Sequence, residues 1–107
     1  GASVNWIAAD LDRWWPERGA YDLVVVIRFL DRKRLPGIVL EALASGGHLV
    51  YETFSHLQCD RSDNHLRSRD YALAPGELRH LYASLEELRY EEAELPASSV
   101  ARLLARR

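Results

Sequence analysis

The sequence has little cysteine, no long apolar run and almost no net charge. Its single cysteine, Cys59, excludes an internal disulfide framework, and we expect a protein of the reducing cytoplasm. No apolar run approaches the roughly 20 residues of a membrane-spanning helix, so no membrane partner is expected. The net charge of −2, from 14 basic and 16 acidic residues, gives no electrostatic reason to expect a nucleic acid partner.

A glycine-rich phosphate or cofactor loop is also lacking, although the remaining sequence has the pattern of a nucleotide-binding α/β fold. Hydrophobic residues make up 48% of the 107 positions, which excludes the composition of a disordered segment. The chain is therefore expected to bury a core, either as one small domain or as part of a larger one.

The centre of the sequence predicts a strand, a helix and a second strand. Within DLVVVIRFL, residues Leu23 to Ile27 form an unbroken apolar run, which is typical of a central strand covered by helices on both faces. Pro36 then opens a helical stripe that Gly46-Gly47 is expected to end. The strand HLVYETF follows, and two strands joined by such a helix are nearly always parallel.

The flanking segments are predicted from the same signals. Residues Val4 to Ala9 form a short apolar run that ends at Asp10, which predicts another strand. The polar residues from Ser55 to Ala74 are too many for an ordinary connection and predict a lid, a binding loop or a disordered segment. An amphipathic helix is expected to begin near Pro75.

The end of the chain has two interpretations. Residues Leu85 to Leu95 and Val100 to Leu104 can form two strands of a hairpin around PASS. The segment from Ser98 to Arg107 also has helical spacing and a serine at its start, which favours a helix.

This order of elements resembles the class I S-adenosylmethionine-dependent methyltransferases. The most specific match is YDLVVV followed by LASGGHLVYETF, which looks like the family's fourth strand, helix, small-residue turn and fifth strand. The resemblance covers nearly the whole chain but only the later portion of the family's domain. It implies an α/β, Rossmann-like sheet of mainly parallel strands with a C-terminal strand pair, in one incomplete three-layer domain over residues 1–107. It also implies S-adenosyl-L-methionine as cofactor, with an unidentified small or macromolecular methyl acceptor.

The family's glycine-rich turn and its ribose-binding acidic residue have no counterpart in this sequence. We expect the chain to begin after them and to bind the cofactor weakly or not at all on its own. Because the family's first strand lies at the centre of the sheet, its absence would expose a strand edge through which the chain could form a homo-oligomer.

The resemblance also suggests where the cofactor would lie. It implies that the Asp10 carboxylate accepts a hydrogen bond from adenine while the Leu11 backbone approaches the ring, and that Val26 and Ile27 contact the base. Strand carboxyl ends are where α/β sheets bind ligands. Asp10 is equally compatible with a turn-forming aspartate at a strand end.

Substrate contacts are expected at the same strand ends, from Arg28, Tyr51 and Glu52. Arg28 could hold an acidic group or extend into solvent. Glu52 could hydrogen-bond a substrate, act as a base, or be a surface or ion-paired residue. No catalytic residue is identified, because transfer from a sulfonium to a nucleophilic acceptor can proceed by positioning alone. His56, Cys59 and His65 match no paired metal motif, so no metal is expected.

Two further hypotheses remain open. A methyltransferase-like module without activity could act by self-association or partner binding, through an exposed sheet edge. A different doubly wound enzyme that uses a nucleotide is the third interpretation.

Overall fold

The computed structural model describes residues 16–107. The predicted strand at Val4 to Ala9 and the predicted cofactor contacts Asp10 and Leu11 lie outside the described residues. Nothing in the described part of the chain is a helix long and apolar enough to cross a membrane.

Within the described part of the chain, four strands form one sheet, and two α-helices pack against it. The strands are β1 (Tyr21–Ile27), β2 (Leu43–Phe54), β3 (Glu86–Glu94) and β4 (Ser99–Arg106), arranged in the order β1-β2-β4-β3. The helices are α1 (Leu35–Ala42) and α2 (Glu77–Leu81). β1 and β2 are parallel, whereas β4 pairs antiparallel with both β2 and β3.

The structure confirms the α/β class and the predicted unit of strand, helix and parallel strand. It also confirms the hairpin at the end of the chain, so the alternative helix from Ser98 to Arg107 is wrong. The reason is the burial period: Ala101, Leu103 and Ala105 are buried on one face of β4, which is the period of two that a strand requires. Backbone pairing on both sides of β4 outweighs the weaker helical propensity.

Helix α1 ends earlier than the sequence predicts. Leu43 already has extended backbone angles, and Gly46 and Gly47 lie inside β2, where Gly46 N and Gly47 O form hydrogen bonds of 3.0 and 2.9 Å with the Arg107 backbone. Gly47 serves a close approach between strands, because a Cβ there would lie 2.9 Å from the carbonyl oxygens of Ala44 and Tyr21. The prediction that this glycine pair ends the helix is therefore wrong.

The sheet has one face covered by the described helices and one face that they leave open. On the covered face, alternate residues of β2 from Leu49 and of β4 from Ala101 pack with both helices and with Leu73 near the end of the lid. The main core residues are Leu35, Val39, Leu49, Tyr51, Leu73, Leu78, Tyr82, Leu85 and Leu103. On the open face, Leu23, Val25 and Ile27 are 51%, 42% and 52% exposed. Within residues 16–107, β1 thus lies at the end of the sheet with one covered face, not two.

The predicted lid is partly ordered by local structure. It contains two short 3₁₀-helices, His56–Asp60 and Arg69–Tyr71, and a parallel bridge joins Ser55 to Leu73. Leu73 N donates to Phe54 O at 2.8 Å, and the Leu73 side chain is buried. The lid therefore leaves the sheet at the end of β2 and returns to it before α2.

Candidate functional site

The carboxyl ends of β1 and β2 lie side by side at one edge of the sheet. Ile27 is the register partner of Glu52, and the Arg28 backbone N donates to the Glu52 carbonyl at 2.8 Å. The Val26 side chain is buried against the core, whereas Ile27 is half exposed on the open face. The two predicted adenine contacts from β1 therefore face opposite sides of the sheet, and Ile27 is the one accessible to a ligand.

Arg28 turns the chain away from the sheet in an unusual conformation. Its φ of 56° lies in the left-handed region, which residues other than glycine, asparagine and aspartate seldom adopt. Its guanidinium carbon lies 4.6 Å from the centre of the Phe54 ring, and its NH2 group donates to Ser98 Oγ at 3.3 Å. No carboxylate within the described part of the chain forms an ion pair with Arg28.

Glu52 points to the open face and is held by arginine. Its Oε1 lies 2.5 Å from Arg102 Nε, and the same guanidinium reaches Glu91 at 3.3 Å. The hydrogen bond that Arg102 donates to Glu52 is the main cause that raises the pKa of Arg102. An open depression of about 390 Å³, lined in part by Ile27, Glu52 and Arg102, lies beside this pair. The sequence allowed either a substrate contact or an ion pair for Glu52, and the structure shows the ion pair.

Tyr51 lies on the other side of the sheet from Glu52. Its side chain is 1% exposed, its hydroxyl donates to the Phe29 carbonyl at 2.5 Å, and its ring lies 5.6 Å from that of Tyr82. Burial raises the pKa of the Tyr51 hydroxyl far above its ordinary value of 10, so the group remains a hydrogen-bond donor. Tyr51 thus fixes the segment after β1 from inside the core, and its hydroxyl is already occupied.

An arginine that sequence reasoning did not single out connects the segment after β1 to the end of the lid. Arg32 pairs with Glu77 at the start of α2 and donates to the carbonyls of Asp70 and Ala72 at 2.6 and 2.8 Å. The hydrogen bond from Arg32 is the main cause that lowers the pKa of Glu77. The sequence DRKR offered no signal for this role, because the partners are 38 to 45 residues away.

A second cavity lies between the lid and the strand ends. It has a volume of about 210 Å³ and is lined by Arg28, Phe54, Gln58, Asp63, His65, Leu66 and Ala97. Sequence reasoning assigned Arg28 to the substrate side but missed Phe54 and Gln58, because an aromatic residue at a strand end and a glutamine in a loop carry no chemical signature by themselves. Over residues 16–107, no group of three or more His, Cys, Asp or Glu side chains is placed to hold a metal ion.

No protein-family model matches the sequence, and no curated protein matches it either. Solved structures do match the fold. An S-adenosylmethionine-dependent methyltransferase from Mesorhizobium loti aligns with a TM-score of 0.68 and 18% identity, over 92% of this chain and 68% of that one. The N-methyltransferase NodS from Bradyrhizobium japonicum WM9 aligns with a TM-score of 0.63 and 22% identity, over 94% of this chain and 58% of NodS. A structure of NodS in complex with S-adenosyl-L-homocysteine gives 0.61 and 17%, over 99% of this chain and 55% of NodS.

The chain therefore spans between 55% and 68% of the length of these three structures. At such low sequence identity, the structural similarity establishes the fold of this chain. It does not extend the activities of those proteins to this chain. The described chain has a Rossmann-like α/β fold that matches part of the fold of S-adenosylmethionine-dependent methyltransferases.

Proposed function

We propose that this chain supplies the adenine side and the acceptor side of an S-adenosylmethionine-dependent methyltransferase. The observation that carries the proposal is the edge where β1 and β2 end together, with an exposed apolar side chain at Ile27 and a left-handed turn at Arg28. Ligands of open α/β sheets bind outside the carboxyl ends of the strands, so this is the edge at which a cofactor would be expected.

The residues present fit one part of that cofactor. Ile27 offers apolar surface for the adenine ring, and the proposal keeps Asp10 and Leu11 as further contacts. The Val26 side chain is buried on the opposite face, so it supports this edge from the core. The 107 residues contain no glycine-rich turn and no acidic residue matching the family's ribose ligand. We therefore expect that this chain alone binds S-adenosyl-L-methionine weakly.

When bound, the cofactor supplies an activated methyl group on a sulfonium. The chain's own contribution is to orient the acceptor and restrict water at the strand ends. We assign this task to the lid, residues 55–74. Its position supports the assignment, because it begins at the end of β2 and is joined through Arg32 to the segment after β1. A cytoplasmic location and an unidentified acceptor complete the proposal.

The test is a calorimetric titration of the 107-residue chain with S-adenosylhomocysteine. Saturable binding should be lost in an Ile27→Glu variant, which places a charge on the proposed adenine surface, and reduced in Asp10→Ala. The matched control is Leu88→Glu, because Leu88 is 45% exposed on β3, away from the strand ends. Equal binding by the Ile27 and Leu88 variants would contradict the proposed site.

A second candidate function is self-association without catalysis, and the open face of β1 favours it. Leu23, Val25 and Ile27 alternate along the exposed side of the strand, and Phe29 beyond it is 45% exposed. In the described sheet, β1 is an end strand beside β2, and these side chains lie on the face that the described helices leave open. The occupant we propose is the same apolar face of a second copy, because such a face can pack against itself across a two-fold axis.

Sedimentation velocity of the full chain tests this alternative. A concentration-dependent dimer that a Val25→Lys substitution dissociates, and a Leu88→Lys substitution does not, is the expected result. A monomer at all concentrations, or a dimer indifferent to Val25→Lys, would exclude association through β1.

A further inference from the structure

The cavity between the lid and the strand ends has apolar walls and two polar side chains, the buried Gln58 and the stacked Arg28. Phe54, Leu66 and Ala97 supply the apolar surface, and the Arg28 guanidinium lies over the Phe54 ring. A cation placed on an aromatic face is held in a defined plane, which leaves its N–H groups directed along that plane. Arg28 is thus positioned by stacking and by Ser98, and not by a carboxylate.

The charges around this cavity are unbalanced. Asp63 is the acidic residue that lines it, and both Asp63 oxygens are already engaged by Arg61, at 2.8 and 3.1 Å. Arg61 also donates to the carbonyls of Leu95 and Pro96, which fixes this pair to the β3–β4 hairpin. The charge of Arg28 is therefore left without a described counter-ion, and His65 adds a further nitrogen at the same cavity.

Gln58 supplies a second donor of fixed orientation. The side chain is 4% exposed, and its Oε1 accepts a hydrogen bond from Ser99 N at 2.8 Å. This bond assigns the Oε1 side of the amide, so the NH2 group faces away from Ser99, and it has no hydrogen-bond partner among residues 16–107. Gln58 lines the same cavity as Arg28. In the described part of the chain, the buried side-chain atoms without a hydrogen-bond partner are Ser55 Oγ and Ser99 Oγ, so the Gln58 NH2 group is not sealed in the core and can donate to a molecule in the cavity.

The backbone of Arg28 supports a functional role. A left-handed conformation at a residue other than glycine costs free energy, and such outliers concentrate at binding sites, where the surrounding structure maintains them. Here the backbone of Arg28 is held by the hydrogen bond from its N–H to the Glu52 carbonyl, and its guanidinium is held by stacking on the Phe54 ring.

We propose that this cavity binds the carboxylate of a small acceptor with an apolar or aromatic body. Arg28 would pair with the carboxylate, Gln58 would donate to it, and the Phe54 and Leu66 side chains would contact the remainder. The identification of this cavity as an acceptor site rests on the proposed function. The binding of a carboxylate in the cavity does not require a cofactor.

The probes are benzoate and its neutral isostere benzamide, titrated into the 107-residue chain and followed by NMR chemical-shift changes. Saturable binding of benzoate in the millimolar range, with benzamide at least about tenfold weaker, is the expected result. Arg28→Asn should weaken benzoate by about tenfold or more, since asparagine accepts the left-handed backbone but carries no charge. Arg28→Lys keeps the charge and should retain part of the affinity.

Arg67→Asn is the matched control, because Arg67 is an exposed lid residue outside the cavity whose loss changes the net charge equally. Equal binding of benzoate and benzamide, unchanged binding in Arg28→Asn, or no binding of benzoate would each overturn the proposal. Repeating the titration with S-adenosylhomocysteine present tests whether the cavity binds the carboxylate of an acceptor or the carboxylate of the cofactor. Displacement of benzoate would assign the cavity to the cofactor and overturn the inference. If the chain binds benzoate as expected but does not bind S-adenosylhomocysteine, only the proposed function is contradicted.

Discussion

The Arg32 guanidinium forms two hydrogen bonds with the Glu77 carboxylate, Nε to Oε2 at 2.5 Å and NH2 to Oε1 at 3.1 Å. The same carboxylate accepts from Ala74 N at 2.9 Å, so the pair closes the end of the lid against the segment that follows β1. Isolated surface ion pairs contribute little, but this one is bidentate and carries additional bonds to two lid carbonyls.

Removing this guanidinium should destabilise the chain. Arg32→Gln removes the guanidinium's hydrogen bonds to Glu77 and to the Asp70 and Ala72 carbonyls, and we expect the free energy of unfolding to fall by about 1–3 kcal/mol. Urea denaturation followed by circular dichroism measures the change. The exposed lid residue Arg67, substituted by glutamine, should change stability by less than about 0.5 kcal/mol. Equal effects of the two substitutions would refute the anchoring role of Arg32.

Glu77 gives the chain an acid-sensitive contribution to stability. Pairing with Arg32 holds the pKa of the folded Glu77 below its ordinary value of 4.5, so the unfolded chain binds the proton more readily. The contribution is therefore present above pH 4.5 and is lost as the pH falls through the folded pKa. Glu77→Gln should lower stability at neutral pH and flatten the loss of stability on acidification, measured by urea denaturation across pH. The exposed Glu86, substituted by glutamine, is the control and should leave the slope unchanged.

Tyr51 should stabilise the segment after β1 through its hydroxyl. Tyr51→Phe removes the donor to the Phe29 carbonyl in a buried setting, and a loss of about 1–2 kcal/mol in unfolding free energy is expected. Thermal or urea denaturation provides the measurement. Tyr71→Phe makes the same chemical change at a residue that is 56% exposed and should be nearly neutral. If the two variants are equally stable, the hydrogen bond contributes nothing measurable.

Two glycines should respond to alanine with opposite signs. At Gly47, a Cβ would lie 2.9 Å from two backbone carbonyl oxygens, so Gly47→Ala must displace β1 or β2 and should destabilise the chain. At Gly37, inside α1, nothing lies within 4 Å of a Cβ, and alanine should stabilise the helix by about 0.5–1 kcal/mol. Unfolding midpoints of the two variants measured side by side decide the matter. If Gly47→Ala stabilised the chain, the close approach of the Ala44 and Tyr21 carbonyl oxygens to this position would be contradicted.

The apolar runs and the helical stripe were enough to predict β1, β2 and the parallel unit that they form with α1. At the end of the chain, the same signals fitted both a hairpin and a helix, and the structure decided for the hairpin. Helix α1 was predicted to be too long, since Gly46 and Gly47 carry the same signal whether they end a helix or permit close strands. The strand-end position of Arg28 followed from the resemblance. The partners of Arg32 and Gln58 did not, because they are distant in sequence and nothing local specifies a contact across the lid. The orientations of Tyr51 and Glu52 depend on which face of β2 the helices cover, and that is decided by the whole sheet.

The most direct test of the central claim is a competition experiment on the 107-residue chain, with S-adenosylhomocysteine and ATP as alternative ligands in calorimetry. The proposed function predicts saturable binding of S-adenosylhomocysteine that Ile27→Glu abolishes and that ATP does not displace. Displacement by ATP would indicate a nucleotide enzyme of another kind, and no binding of S-adenosylhomocysteine at millimolar concentration would contradict the account of these strand ends as a cofactor site.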